Sequence, residues 1–403
     1  MIARATIAAI VVGFAADAHA GGVERPNGIG ARAVGQGGAF AAIADDATAW
    51  HWNPAAAALA APNVVLGGEL VIAPRSYVPI AADGTRGAPQ SPATPIVPVP
   101  ALGIAARLTD RITAGVGVWN TFGGQLSYEP TDDPAIDASQ ELLVEIAAGL
   151  GYRVSPRLAI GVTARVGIGL FSVSATRRPV SSQIDGSGVG LGVGLGVAWR
   201  PHPRLAIGAT WRSALDVDVT GRGKLEVGSG LDLEMVHRQA WPQSAELGVA
   251  VAVTSRVRVA AQLDWTGWSS FERLDVRFPS NEAASQSFAL DWSNSLTGRV
   301  GVEWRTTPTL TVRTGAYVDG NAVPDRTIER QYLDTTKLGG AVGAGLRFGV
   351  WRVDLAFDLL TGPPRTVPDN RADVGPFASL ANVAPGEHDG SVYTFELALG
   401  RRL

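Results

Sequence analysis

The stretch VGLGVGLGVAW, residues 189–199, decides the architecture. Side chains alternate across an extended chain, so Val189, Leu191, Val193, Leu195, Val197 and Trp199 share one face. Gly190, Gly192, Gly194, Gly196 and Ala198 share the other. A soluble sheet buries its large residues and turns polar ones to water. Here the second face is small and uncharged, which suits a crowded interior, while the Val and Leu face suits lipid.

The flanking segments repeat this code. Leu142, Val144, Ile146, Ala148, Leu150 and Tyr152 oppose Glu141, Glu145, Gly149, Gly151 and Arg153. Leu158, Ile160, Val162, Val166, Ile168 and Leu170 oppose Gly161, Thr163, Arg165, Gly167 and Gly169. Charges stay on the second face, the apolar-out, polar-in pattern of a membrane barrel. Such runs number about fourteen, an even count as bacterial barrels require. They are predicted near residues 63–74, 98–108, 111–121, 140–154, 157–173, 186–200, 204–219, 240–254, 257–271, 292–305, 309–319, 336–348, 351–361 and 390–403.

Their connections alternate in length. Thr109-Asp110, Ser155-Pro156, Pro201-His202-Pro203, Thr254-Ser255-Arg256, Thr306-Thr307-Pro308 and Gly349-Val350 are tight corners of turn-forming residues. Between them lie long links over 76–97, 122–140, 174–185, 221–238, 273–291, 320–335 and 362–390. Short periplasmic turns and long outer loops are the asymmetry of outer-membrane barrels, and place both termini on the periplasmic side. A secreted solenoid or sandwich gives no reason for it. Trp199, Trp304 and Trp351 lie close to short turns, where an interfacial aromatic belt belongs. The last strand, SVYTFELALGRRL, puts Tyr393, Phe395, Leu397, Leu399 and Leu403 on one face.

The whole chain has 403 residues, a formal net charge of -3 and no cysteine. It has no disulfide framework or thiolate metal site, and it lacks the basic balance that a nucleic-acid partner wants. Residues 1–20 read as a secretory signal: Arg4, an apolar run of about a dozen residues, then Ala18-His19-Ala20. That run is too short to span a membrane, which takes about 20 residues. The expected organisation is a signal peptide over 1–20, a plug over 21–61 and a membrane barrel over 62–403.

The plug is the one long part of the mature chain without alternation, GIGARAVGQGGAFAAIADDATAWHWNPAAAAL over 28–59. Asn53 caps a short helix begun by Pro54 and Ala55, since Asn accepts an orphan N–H and Pro needs none there. Gly35, Gly37 and Gly38 suit tight packing. Asp45 and Asp46 are expected to anchor the plug to inward arginines rather than to hold a metal, for which no further ligands stand nearby. Trp50 and Trp52 either line a hydrophobic groove or pack the plug against the wall. Phe122, Leu126 and Tyr128, with Gly123 and Gly124, are candidates for an outer capture site.

No catalytic constellation is present. His202, His237 and His388 stand in no spacing that recruits a nucleophile and an orienting acid. The Gly-x-Gly repeats belong to strands with no following helix, so they are no dinucleotide fingerprint, and no cofactor is expected.

Three stretches carry a family resemblance. The Gly-rich start, the run Ala44–Asp46 and Asn53-Pro54-Ala55 form the first. LDWTGWSSFERL over 263–274 is the second, and DWSNSLTGRVGVEW, TLTVRTGAYVDGNAVPD and LGGAVGAG, in succession over 291–345, are the third. In these the chain resembles the FadL/TodX family of outer-membrane transporters for long-chain fatty acids and other hydrophobic compounds. The resemblance implies a fourteen-stranded antiparallel barrel with an N-terminal hatch in its lumen, capture by outer loops and sideways release into the membrane. The expected partners are a hydrophobic small molecule and outer-membrane lipid, with the protein acting as a monomer. A fatty-acid carboxylate finds its natural partner in an inward guanidinium. Arg165, Arg212, Arg299 and Arg313 have the right parity, and Arg165 and Arg313 are the candidates inside their strands. A barrel serving as a structural or secretion-accessory partner, with no transported ligand, is the second reading.

Overall fold

The computed structural model describes residues 28–93, 97–131, 136–177, 180–226, 230–367 and 384–403. The expected signal peptide lies outside them. Twenty strands follow in chain order: β1 (Asn63–Ile72), β2 (Arg75–Pro79), β3 (Val97–Arg107), β4 (Ile112–Ser127), β5 (Ile136–Ser155), β6 (Leu158–Arg177) and β7 (Val180–His202), then β8 (Leu205–Arg212), β9 (Leu215–Glu226), β10 (Leu231–Trp241), β11 (Ser244–Ala252), β12 (Val257–Thr266), β13 (Arg273–Arg277) and β14 (Gln286–Ala289), and finally β15 (Ser295–Arg305), β16 (Leu310–Asp319), β17 (Lys337–Phe348), β18 (Trp351–Thr361), β19 (Arg365–Val367) and β20 (Gly386–Arg402).

Fourteen of these close a ring of antiparallel neighbours. β1 pairs with β3, and the order runs on through β4, β5, β6, β7, β8, β11, β12, β15, β16, β17, β18 and β20, which returns to β1. Closure removes the free edges that an open sheet would expose. Val189, Leu191, Val193, Leu195, Val197 and Trp199 are exposed outward, as are Leu66, Leu355, Leu397 and Trp304. No described helix is long and apolar enough to cross a membrane; the crossing elements are strands.

Sequence alternation places the strands but misjudges several ends. β5, β6 and β7 run 20, 20 and 23 residues, longer than their predicted spans. A crossing strand needs only about 9–11 residues, so these project beyond the membrane. β4 continues to Ser127, which puts Phe122 and Leu126 on a strand rather than in a loop. The two strands predicted over 204–219 and 240–254 are each broken, at Ser213-Ala214 and at Pro242-Gln243.

The breaks have a physical consequence. Along β8 the buried positions are Gly208, Thr210 and Arg212, whereas along β9 they are Leu215, Val217 and Val219. One extra residue at Ser213-Ala214 has switched the faces, as a bulge does. Asp216 and Asp218, which unbroken parity would turn inward, now face out, and Asp216 pairs with Arg238 in solvent at 2.7 Å. β10 and β11 show the same switch. Below this level the barrel is apolar outside and small or polar inside; above it the wall is polar outside and apolar inside. β4 has a matching register shift between Asn120 and Phe122, where buried parity passes from Trp119 and Thr121 to Phe122 and Leu126.

Residues 28–60 fill the lower lumen. They touch every strand of the ring. Gln36, Gly37 and Gly35 lie against Gly301, Gly315 and Gly343 of β15, β16 and β17; Ala41 and Ala42 against Gly208 and Gly248 of β8 and β11; Ala47 against Gly103 of β3; Trp50 against Gly115 and Gly149 of β4 and β5. Pro54 reaches Gly161 and Gly196 of β6 and β7. Gln262 of β12 accepts from the Phe40 and Ala41 N–H groups at 2.9 and 2.7 Å, and Asn63 of β1 accepts from Ala47 at 2.8 Å. The short helix Ala31–Val34 packs on β18 and β20. A segment that meets all fourteen strands of a closed ring lies inside it.

Small inward residues make this possible. A Cβ at Gly149 would lie 2.0 Å from Trp50 Cε3, within the ring itself. Gly149→Val is therefore expected to unseat Trp50 and the segment that carries it. Single-channel conductance in a planar bilayer should rise severalfold above the unsubstituted protein. Unchanged conductance would show that the seat at Trp50 does not seal the lumen.

Candidate functional site

The helix Pro54–Ala57 begins as its sequence dictates. The Asn53 side chain accepts from the Ala55 N–H at 3.1 Å and Pro54 occupies the first turn. Asn53 also donates to the carbonyls of Ala41 and Val197, each at 3.0 Å, so one residue caps the helix and ties it to the wall. Trp50 donates to the Ile104 carbonyl at 2.8 Å, and Trp52 to Ile29 at 2.9 Å. Both indoles are fully used in packing the segment. Gly38 takes a positive φ of 77°, next to Gly37 at 63°.

The acidic pair of this segment folds back on Arg32, whose guanidinium donates to Asp45 and, at 3.0 Å, to Asp46. Arg258 and Arg352 of the wall stand 3.8 and 3.5 Å from Asp45 and Asp46. No group of three or more acidic, His or Cys residues fit for a metal occurs among the described residues.

Arg165 and Arg313 point inward and are buried, and both are engaged by wall carboxylates. Arg165 donates to Glu145 at 2.9 and 2.6 Å and to the Ser213 carbonyl at 2.8 Å. Arg212 shares Glu145 at 2.7 and 2.8 Å. Arg313 joins Glu303 and Asp354, each at 2.9 Å. Arg299 meets Asp264 at 2.7 Å. Breaking such a buried pair from one side costs about 3–5 kcal/mol, because a charge is then left unpaired.

Beyond the charged layer, under the long loops, the lumen becomes aromatic. Phe122 stacks on Trp241 at 5.5 Å and meets the edge of Trp268 at 5.5 Å. Phe271 stacks on Trp292 at 5.0 Å, and Trp292 meets Tyr332 at 5.5 Å. Leu143, Leu215, Val217 and Met235 complete the floor and sides. Such offset and edge contacts favour aromatic occupants as well as one another. A cavity of about 50 Å³ adjoins Trp268, Trp292 and Tyr332, with Arg299, Tyr317 and Lys337 across from them.

Of the sequence candidates, Phe122 belongs to this cluster, and Leu126 is buried further along the same face of β4. Tyr128 closes its upper end by donating to the Arg330 carbonyl at 3.2 Å while the Arg330 guanidinium lies 4.6 Å over its ring. Arg330 in turn donates to the Ile136 carbonyl at 2.6 and 3.0 Å. Sequence reading passed over Trp241, Trp268, Phe271 and Trp292 as site residues. Three of the four stand in the stretches 263–274 and 291–304, whose aromatic density was the available signal.

The loop between β16 and β17 supplies Tyr332, whose hydroxyl donates to Glu141, and Glu329, which is buried beside it. Burial pushes the Glu329 carboxyl up, and the nearby Glu141 adds to this, to about 8. The closed loop thus holds a proton that a solvated Glu, with a pKa of about 4.3, releases. Its closed state is fully stabilised below about pH 4.3 and loses that stability as pH rises to about 8. Intrinsic tryptophan fluorescence should therefore change as pH rises from about 4 to about 8, and Glu329→Gln should reduce the change. An identical profile in the Gln variant would contradict the assignment.

The family model of outer membrane protein transport proteins, OMPP1/FadL/TodX, matches residues 12–400. A Pseudomonas aeruginosa FadL homologue superposes with TM-score 0.81 at 16% identity, over 95% of this chain and 100% of that one. The Pseudomonas putida toluene transporter TodX gives 0.72 at 17% identity, over 95% and 100%, and the Ralstonia pickettii toluene transporter TbuX gives 0.70 at 19%, over 94% and 99%. No curated protein matches the chain. At these identities the structures speak to the fold, and the family match to kinship: the chain belongs to the FadL/TodX family of outer-membrane transport proteins.

Proposed function

We propose that this protein takes up uncharged hydrophobic molecules across the outer membrane, receiving them in the aromatic lumen and releasing them sideways into lipid. The observation that carries the reading is the pairing of charge around that lumen. Arg165 and Arg212 are held by Glu145, Arg299 by Asp264, Lys337 by Asp334 at 3.0 Å, and Arg330 by the Ile136 carbonyl and Asp137. Glu141 and Glu329, the acids beside the aromatic cluster, offer an anion no positive partner. A fatty-acid carboxylate would have to displace a buried acid from its arginine, whereas apolar surface gains about 25 cal/mol per Å² on entering the lumen. Toluene, the named cargo of two structural relatives, has this character. Arg165 and Arg313 then serve to hold the wall acids in place.

In this reading residues 28–60 act as the hatch, the exit leads through the wall, and the short turns and both termini face the periplasm. The support for a lateral exit is a gap in the pairing. β3 meets β4 only from Leu102↔Val118 to Arg107↔Thr113, and residues 97–101 have no partner on β4 among the described residues. On this strand the Ile104 carbonyl points at β4, since it stands over Gly115. Alternation then directs the nitrogens of residues 98 and 100 to the same side. Both are proline, so the two donors that would zip β3 to β4 do not exist. Trp119 and Phe122, at the shift in β4, stand beside this gap and lead into the aromatic lumen.

Replacing Pro98 and Pro100 together by Thr restores both donors. Uptake of toluene into cells is expected to slow by roughly tenfold, on the scale of one to two hydrogen bonds, with toluene binding to the purified protein unchanged. Uptake at the original rate would place the exit elsewhere.

A further inference from the structure

The inner face of β10 carries three successive polar side chains whose hydrogen bonds the described residues do not complete. His237, Gln239 and Trp241 are each at least 95% buried. Among the described residues, His237 Nε2, both Gln239 amide atoms and Trp241 Nε1 have no partner. Isolated orphans of this kind are uncommon in folded proteins, and four on one strand face within five residues point to a ligand. Next to them are the aromatic walls of the lumen: Phe171 lies 4.5 Å from the His237 ring, and Phe122 stacks on Trp241.

The chemistry of this row is defined. His237 Nδ1 lies 2.9 Å from the Asp275 carbonyl, which only accepts, so Nδ1 carries the proton and Nε2 of the neutral ring is an acceptor. Gln239 offers a donor and an acceptor, and Trp241 a donor. None of the three presents a charge. Gly169 on β6 leaves the space that Gln239 occupies, because a Cβ there would lie 2.6 Å from its Oε1. The amide is therefore held in the lumen by its surroundings.

We infer that the β10 row is a recognition site for an uncharged, mainly apolar molecule bearing one hydroxyl group, which donates to His237 Nε2 or Gln239 Oε1 and accepts from the Gln239 amide or the Trp241 indole. The inference rests on the transport reading above and adds to it: a site built to bond a hydroxyl discriminates against the analogue that lacks one, since the protein's own polar atoms are then left unpaired. The aromatic walls receive the ring or alkyl body, and the row selects among such bodies.

The test uses p-cresol and p-xylene, in which a hydroxyl replaces a methyl of similar size. Binding of each to the purified full-length protein is measured by equilibrium dialysis against matched protein-free detergent micelles. The unsubstituted protein should prefer p-cresol by about tenfold. Gln239→Leu should remove most of that preference by weakening p-cresol and leaving p-xylene unchanged. Trp241→Phe keeps an aromatic ring but loses the N–H together with the five-membered ring of the indole; it should narrow the preference by a smaller factor. Heat-modifiable migration on a gel confirms that each variant is a folded barrel, and Trp241→Phe carries the test if the Leu variant does not fold. Binding of p-xylene as tight as that of p-cresol overturns this inference and leaves the transport reading standing, and so does equal loss of both ligands in a folded variant. Binding of neither ligand overturns both.

Discussion

A fourteen-stranded ring encloses more volume than its own side chains fill, and the rest of the structure depends on how that volume is occupied. Here a backbone occupies it. Residues 28–60 approach Gly or Ala on strand after strand, so that main chain meets main chain at van der Waals distance. The larger groups are placed where a partner is ready: Trp50 over Gly149 and bonded to Ile104, Asn53 bonded to Val197, Arg32 closing on Asp45 and Asp46. The glycines that first mark the inner face of the wall are thus matched to one particular filling.

The second constraint is the change of solvent along the barrel axis. Where lipid surrounds the wall, large apolar residues must face out. Where water surrounds it, they must face in. The chain meets both demands with single-residue shifts at Ser213-Ala214, at Pro242-Gln243 and at Asn120/Phe122, and each shift exchanges the faces of the strand above it. The aromatic lumen is the product: Leu215, Val217, Phe122 and Trp241 point inward because the strand has crossed the membrane boundary. Binding surface and membrane boundary are therefore set by the same bulges. Pro242 fits such a place, having no donor to lose.

This division also explains what was legible in the sequence. Alternation reveals a strand wherever one face is lipid and the other is packed, as at residues 189–199, and loop lengths reveal the two rims. The helix start at Asn53-Pro54 is local chemistry and reads directly. A bulge leaves correct alternation on both sides of itself, so residues 204–219 looked like one strand. The arginine partners were out of reach for another reason. Glu145 meets Arg165 and Arg212 through the register of β5, β6 and β8, and no local pattern encodes a contact across 67 positions. The aromatic lumen is assembled from β4, β10 and three loops; Phe122 was named from the sequence, whereas Trp241, Trp268 and Trp292 lay within predicted strands and their meeting depends on contacts far apart in the chain.

The central claim is that the lumen is sealed to water by residues 28–60 and remains open to apolar molecules through the wall. Excising residues 28–60 while retaining residues 1–27 and the barrel tests it most directly, with conductance in a planar bilayer and toluene uptake measured on the same protein. The expected result is a large ohmic conductance where the intact protein shows almost none. Conductance that stays at the intact level in a correctly folded barrel would contradict the account.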